Sequence, residues 1–459
     1  MGTKRGTEML RGRIKSILLG CASVGVLLVT ASAANAGGFA IREQSAYGQG
    51  SSFAGIAAGG ALSSMFWNPA TMTQVPGIQT ESDLSGILPS SSHTVGASST
   101  FAFLGSAGNS GLDALVPGSY ASMQITPRLW LGLSVNSPFG LAVRFPDAWA
   151  GRNYAEDTRL ETYNATPSIA YEVNEWLSIG AGVQIQYAHA DLATGIPGGP
   201  PGFGVGQLAS IEGNGWGFGA TLGATLKPTP TTTIGIGWRS AMNQEINGGL
   251  TLPPGAAFNP PFSTPGSVST TLKLPDQVSL GVRQQIGPQW TLLGTIEWTN
   301  WSRIGTSTIE QPNGTPATLL AGLGGGAVTL PFQYEDGWFF SVGAEYKWND
   351  RLALRGGIGF EKSPITDQVR TPRLPDNDRL WLALGASYQV TPRISLDAGY
   401  THIFVKDTPI DISATSGNPW FNGVTYVGTV DSHVDIVSVA LRYRFDTPAP
   451  PPKKLLITK

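Results

Sequence analysis

Few side chains in this sequence are spaced for covalent chemistry. The four histidines, His93, His189, His402 and His433, show no metal-ligand spacing. No Gly-x-Ser-x-Gly elbow presents a nucleophilic serine. The glycine run from Gly322 to Gly326 lacks the Gly-Lys-Ser/Thr that completes a phosphate loop. These residues predict no enzyme, no metal and no cofactor. What remains is binding chemistry. A carboxylate ligand would want a cationic partner, and Arg239 and Arg379 stand at polar phases of alternating segments. Either meets a ligand carboxylate or lines an interior by pairing with acids. The stretch from Pro253 to Phe262, which carries Phe258 and Phe262, is apolar for an exposed loop, and Ile196 to Val205 is similar. Exposed apolar loops can hold greasy ligands; the plain alternative is Gly/Pro loop chemistry with no ligand.

Composition narrows what carries these residues. Of 459 residues, 41% are hydrophobic and only 13% charged, about half the usual charged share of a soluble domain, with 60 Gly and 33 Pro. A disordered chain would hold more charge and fewer aromatics. Past residue 36 no apolar run approaches the roughly 20 residues of a membrane-spanning helix.

Residues 1–36 read as a secretory signal peptide. Lys4, Arg5, Arg11, Arg13 and Lys15 precede an apolar run from Ile17 to Val29, and Ala34-Asn35-Ala36 suits a peptidase, with cleavage after Ala36. Leu18-Leu19-Gly20-Cys21 resembles a lipoprotein box but would cut that run in half. Taking five basic residues and Glu8 from the 29 and 31 of the chain leaves 24 basic and 30 acidic, net −6. Cys21 leaves with the segment, so no disulfide forms. An exported, mildly acidic chain is not a nucleic-acid binder.

Alternation dominates the remainder. Leu177, Ile179, Ala181, Val183, Ile185 and Tyr187 are separated by Ser178, Gly180, Gly182, Gln184 and Gln186. Phe340, Val342, Ala344, Tyr346 and Trp348 repeat the pattern. Period two marks strands with one apolar face. The strands are longer than the usual five or six residues, and their other face is polar or small. Short links near Pro127, Asn174, Thr229, Pro288, Asp350 and Pro392 alternate with long Gly/Pro-rich ones. That layout predicts an outer-membrane β-barrel with its short turns in the periplasm. The runs number fourteen, near 78–88, 118–125, 129–136, 160–172, 176–191, 213–227, 231–247, 268–286, 289–301, 336–348, 352–361, 379–390, 394–404 and 433–445, with 92–103 read as loop. Trp130, Trp176, Trp290 and Trp348 beside short turns suggest an interfacial girdle. The last run ends in Phe445, the terminal aromatic that barrel-insertion machinery reads, and 446–459 reads as a disordered periplasmic tail.

Residues 37–77 break the alternation. Their low charge and their aromatics, Phe39, Tyr47, Phe53, Phe66 and Trp67, favour burial as a plug ahead of the barrel at 78–445. Here the chain resembles a family. Gly38-Phe39, Asn68-Pro69-Ala70, Pro138-Phe139-Gly140-Leu141, Gly215-Trp216-Gly217-Phe218-Gly219, Leu274-Pro275-Asp276, Trp298-Thr299-Asn300-Trp301-Ser302 and Pro375-Asp376-Asn377-Asp378-Arg379-Leu380-Trp381 occur in the order seen in the FadL/TodX outer-membrane transporters of fatty acids and hydrocarbons.

The resemblance implies an all-β, fourteen-stranded antiparallel, monomeric barrel with an N-terminal hatch at 37–77 in its lumen. It implies passive uptake of hydrophobic molecules past lipopolysaccharide. Ligand is caught in a loop groove, passed by a hatch whose gate is Gly38, Phe39, Asn68, Pro69 and Ala70, and released sideways into outer-membrane lipid. The lateral opening is expected where the third strand ends, at Asn136, Pro138 and Gly140: proline cannot donate to the ladder and glycine tolerates odd dihedrals. After the fifth strand, where family members carry inner basic residues, this chain has His189, Asp191 and Thr194, which favours an uncharged hydrocarbon as ligand. A general diffusion porin stays open as the alternative, and behind it an outer-membrane lipid hydrolase with a Ser/His pair near one rim.

Overall fold

A computed structural model describes residues 37–195, 208–251, 266–319 and 326–446. The signal segment, the loop from Ile196 to Val205, the loop carrying Phe258 and Phe262, and the tail beyond Asp446 lie outside the described residues.

Fourteen antiparallel strands close into a barrel. They are β1 (Ile78–Val95), β2 (Ala114–Thr126), β3 (Leu129–Asn136, resuming at Gly140–Arg144), β4 (Asp157–Asn174), β5 (Leu177–Gly195), β6 (Leu208–Thr229) and β7 (Thr232–Arg239, then Met242–Thr251). After them come β8 (Gly266–Leu274, then Gln277–Ile286), β9 (Trp290–Thr299), β10 (Gly337–Lys347), β11 (Leu352–Lys362), β12 (Arg379–Thr391), β13 (Ile394–Val405, then Thr408–Ile412) and β14 (Tyr426–Arg444). β14 pairs with β1 from Gln79↔Arg444 to Val95↔Gly428, which removes both sheet edges. Several strands run further than the sequence pattern suggests. β1 reaches Val95, into the stretch read as loop, and β2 begins at Ala114 rather than 118. The run 268–286 is broken at Pro275-Asp276, because a proline supplies no ladder donor.

The outer face is apolar and the inner face polar. Val183, Val342, Leu384 and Val439 are exposed, whereas Gln184, Ser341 and Ser438 on alternating positions are buried. Trp338 and Trp348, both exposed on one strand line, are ten positions apart. At about 3.3 Å per residue and a tilt of roughly 40°, they stand about 25 Å apart along the membrane normal, the height of a lipid-facing band. Trp176 and Trp290 join Trp348 at the short-turn rim. Trp130 does not: it is buried, and its indole N–H donates to the Val75 carbonyl at 2.9 Å. The expectation of a girdle residue there is corrected, since its strand phase points inward.

What fills the inside is residues 37–75. They form a short helix, α1 (Ala46–Gln49), and 3-10 turns at Ile56–Ala58, Leu62–Phe66 and Pro69–Gln74, nearly all buried. The wall is cut to fit this segment. A Cβ on Gly235 of β7 would lie 1.9 Å from the Ala57 carbonyl oxygen, and one on Gly357 of β11 would lie 2.1 Å from that of Ser51. Glycine at these inward positions is what lets backbone approach backbone.

Candidate functional site

The N-terminal end of the luminal segment is fixed by acids from the barrel wall and from the link between β11 and β12. Gly38 adopts φ +67°, and a Cβ there would lie 2.9 Å from the Trp301 ring, so the position requires glycine twice over. Its N–H donates to Asp376 Oδ2 at 3.0 Å. Arg42 pairs with Glu297 and, at 3.4 Å, with Glu361, its guanidinium 3.8 Å over the Phe339 ring. Glu43 beside it is buried with Oε2 unpartnered. Burial pushes its carboxyl up to about 7; a backbone hydrogen bond opposes this, Glu361 adds to it, and Arg42 and Arg379 oppose it. Deeper in the lumen, Asp83 accepts from the Ala46 N–H at 2.7 Å, and Glu81 accepts from Leu62 and Ser63 at 2.8 and 3.1 Å.

Asn68, Pro69 and Ala70 act as a clip. The Asn68 side chain donates to the carbonyls of Ala57 at 2.7 Å and Ala224 at 2.9 Å, and its Oδ1 accepts from the Ala70 N–H at 3.0 Å. It caps the 3-10 turn whose first residue is Pro69, where no N–H is missed. This ties the segment to itself and to β6.

The third strand is broken on one side only. β2 and β3 pair as far as Ser119↔Val135, and the next link between these chain stretches is the bridge Gly111↔Val143. Between those points the wall has no β2–β3 ladder. The inner edge of β3 is taken instead by the luminal segment. Ala40 bridges Phe139, the Ile41 N–H donates to the Pro138 carbonyl at 2.8 Å, and the Gly140 N–H donates to the Phe39 carbonyl at 2.9 Å. On the other edge, Asn136↔Asn164 and Gly140↔Glu161 place four steps of β3 against three of β4, a one-residue bulge. Pro138 and, across the gap, Pro117 have no N–H to restore the ladder. Asn136 donates to the Tyr120 hydroxyl at 2.7 Å, which donates to the Gln44 carbonyl at 2.6 Å, while Asn136 Oδ1 stays unpartnered. Asn136, Pro138, Gly140, Gly38 and Phe39 thus converge on one place.

Above that place is an apolar cavity of about 320 Å³. Phe39 forms part of its wall, with Leu160, Leu192, Leu250, Leu272 and Phe332. Phe39 packs edge-on against Trp301, centroids 4.7 Å apart. A smaller cavity of about 60 Å³ lies between Arg42, Phe66, Pro138, Phe139 and Arg239. The two sequence-chosen arginines are engaged within the protein. Arg379 donates through Nε to Asp376 at 2.9 Å, which leaves that pair internally neutralised. Arg239 donates to the Phe66 carbonyl at 3.0 Å and to Gln184, and lies 4.1 Å over the Phe66 ring. On β5, Ala190, Leu192 and Thr194 face the large cavity, so His189 and Asp191, in the opposite phase, do not.

Sequence reasoning missed Arg373. It comes from the long link between β11 and β12, is 7% exposed, and lines the large cavity. Nη1 donates to Thr158 Oγ1 at 2.6 Å and Nη2 to the Tyr154 carbonyl at 3.0 Å, while Nε has no partner. An arginine flanked by prolines in a loop carries no periodic signal, so nothing in the sequence marked it as interior.

An apolar outer band around a closed, even-numbered antiparallel sheet with a polar inner face defines the class: an outer-membrane β-barrel. The chain belongs to the family described as outer membrane protein transport protein (OMPP1/FadL/TodX), matched over residues 27–445. It is 26% identical to the long-chain fatty acid transport protein of Escherichia coli K12 over 452 residues, covering 88% of this chain and 96% of that protein. It is 25% identical to outer membrane protein P1 of Haemophilus influenzae over 461 residues, covering 91% and 97%. Among solved structures, a Pseudomonas aeruginosa FadL homologue superposes with a TM-score of 0.78 at 25% identity, over 90% of this chain and all of that one. The Ralstonia pickettii toluene transporter TbuX, at 18% identity, shares the fold with a TM-score of 0.62, over 88% of this chain and 100% of that one. The protein is an outer-membrane transport protein.

Proposed function

We propose that this protein takes hydrophobic molecules, long-chain fatty acids or aliphatic and aromatic hydrocarbons, passively across the outer membrane, without catalysis. The observation that carries this is the position of Phe39: it is at once wall of the apolar cavity and partner of the broken third strand. Ligand partitions from the lipopolysaccharide layer into the outer loops, the apolar loop with Phe258 and Phe262 among them, and then into the cavity. Residues 37–77 act as the hatch. Ligand against Phe39 displaces the segment 39–41 from the edge of β3, with Gly38 as pivot and the Asn68-Pro69-Ala70 clip holding the rest in place. The passage then opens sideways between β2 and β3, past Asn136, Pro138 and Gly140, into membrane lipid. The chain works as a monomer, inserted by machinery that reads its terminal strand. The filled lumen weighs against a general diffusion porin.

The test is uptake of radiolabelled oleate and toluene, supplied separately, by cells lacking their own hydrophobic transporter, with a small sugar as control. Expression of this protein should raise oleate or toluene entry several-fold and leave sugar entry unchanged. Sugar entry without hydrophobic uptake would replace this reading with a porin.

A further inference from the structure

The outer face of the wall carries a cationic step above its apolar band. On β7 and β8, Met242, Gln244, Leu272 and Leu274 are buried, so Asn243 and Lys273, opposite each other in register, point outward and are exposed. Arg303, exposed on the 3-10 turn after β9, donates through Nη2 to Asn243 Oδ1 at 3.0 Å. Asp336 fixes that turn, accepting from the Ser302 N–H at 3.2 Å and from the Trp298 indole N–H at 3.0 Å. Lys273 and Arg303 thus flank one amide side chain. Among the described residues neither has a carboxylate within ion-pair distance, Glu245 two positions beyond Asn243 included. The loop segments 196–207, 252–265 and 320–325 and the tail 447–459 contain no Asp or Glu in their sequence. By contrast Arg144, Arg159 and Lys362, also at the long-loop end, are matched by Asp157, Glu161 and Glu335. Lys273 stands thirteen positions from Ile286 at the short-turn end of β8. At about 3.3 Å per residue and a tilt of roughly 40°, that is about 30 Å along the membrane normal, past the top of a lipid-facing band of about 25 Å and in the headgroup layer. Below it Leu280, Ile296 and Phe340 are exposed side by side on β8, β9 and β10, and Trp298 and Trp338 stand two positions above the last two.

We propose that Lys273 and Arg303, with the Asn243 amide between them, bind a phosphate of lipopolysaccharide on the outside of the barrel, the acyl chains of that lipid lying against Leu280, Ile296 and Phe340. Charge and order along the normal agree: unmatched cations, then tryptophans, then an apolar wall, which is the order of phosphate, sugar and acyl chain in lipid A. The guanidinium, oriented by Asn243, presents a planar fork to phosphate oxygens, and the lysine adds a point charge beside it. Clustered Lys and Arg at a membrane surface recognise anionic lipid in this way. Lipid A carries two phosphates on a rigid disaccharide, whereas phosphatidylglycerol carries one on a flexible glycerol, so a fixed pair of cations favours the former. The site is independent of what the barrel transports.

The experiment is native mass spectrometry of the full protein in detergent, titrated with bisphosphorylated lipid A, with the same lipid A stripped of both phosphates, and with phosphatidylglycerol. Wild type should bind bisphosphorylated lipid A at least about tenfold more tightly than either of the others. The double variant K273Q/R303Q should lose most of that preference, and K227Q, near the short turn after β6, should keep it. Equal affinity of wild type for lipid A with and without phosphates would overturn the site. Phosphatidylglycerol bound as tightly as lipid A would overturn its assignment to lipopolysaccharide. A preference that survives in the double variant would overturn the choice of these two cations. The wild-type comparison of the three lipids decides without any variant, so a double variant that inserts poorly does not shield the proposal.

Discussion

At the scale of the residue, the luminal segment is held by charges that titrate. Glu43 is the clearest, because its carboxyl shifts from an ordinary 4.5 up to about 7 through burial. A raised carboxyl pKa means that the docked segment prefers the protonated form. The associated stability is fully present below about 4.5 and is lost as pH rises to about 7, at most about 3 kcal/mol. Amide-exchange protection factors over residues 40–60 should therefore be higher at pH 5 than at pH 8. Glu43→Gln should reduce that difference. Unchanged protection in wild type would mean that Glu43 reaches water. The same scale explains why sequence chose Arg239 and Arg379 over Arg373. Phase along a strand is legible; which arginine finds an acid is not, since Arg379 takes Asp376 from the link just before its strand while Arg373 in the same link takes none.

At the scale of the element, the third strand carries the argument. Its bulge exists because four residues of β3 span three of β4 between Asn136↔Asn164 and Gly140↔Glu161. Deleting Pro138 restores one-to-one pairing, and the strand can then run straight beside β2. The expected outcome is a folded barrel, still heat-modifiable on electrophoresis, with hydrophobic uptake reduced roughly tenfold or more. Uptake at the wild-type rate would place the exit elsewhere. Pro138 was visible in the sequence, but its significance was not, because a proline also simply opens loops. Two structural facts separate the readings. The chain resumes as strand at Gly140, and the vacated edge is paired by residues 39–41.

At the scale of the whole molecule, barrel and filling are expected to be separable. The sheet closes through β1 and β14 without help from the luminal segment. That segment meets the wall through close approaches at glycines, hydrogen bonds to side chains and carbonyls, and buried ion pairs rather than through strand pairing, the short link to β3 excepted. Removing residues 38–60 should leave a heat-modifiable barrel that admits small sugars, since the polar inner face would then line an open lumen. A truncated protein that fails to insert, or stays closed to sugars, would show instead that the filling is part of the barrel's fold.

The sequence by itself determined the barrel and its fourteen strands. Alternation has a period of two, and the short and long links differ in length and composition; both are local and survive without knowledge of partners. It also marked Gly38, Phe39 and Asn68-Pro69-Ala70, because ordered motifs are linear features. Tertiary structure alone decided that Trp130 points inward, that Arg379 is neutralised by Asp376 while Arg373 is not, and that β3 leaves β2 for the N-terminal segment. The Trp130 and β3 contacts join residues tens of positions apart, and although Asp376 is only three positions from Arg379, no short-range pattern encodes which of several polar groups will meet when a sheet closes around its own leading segment.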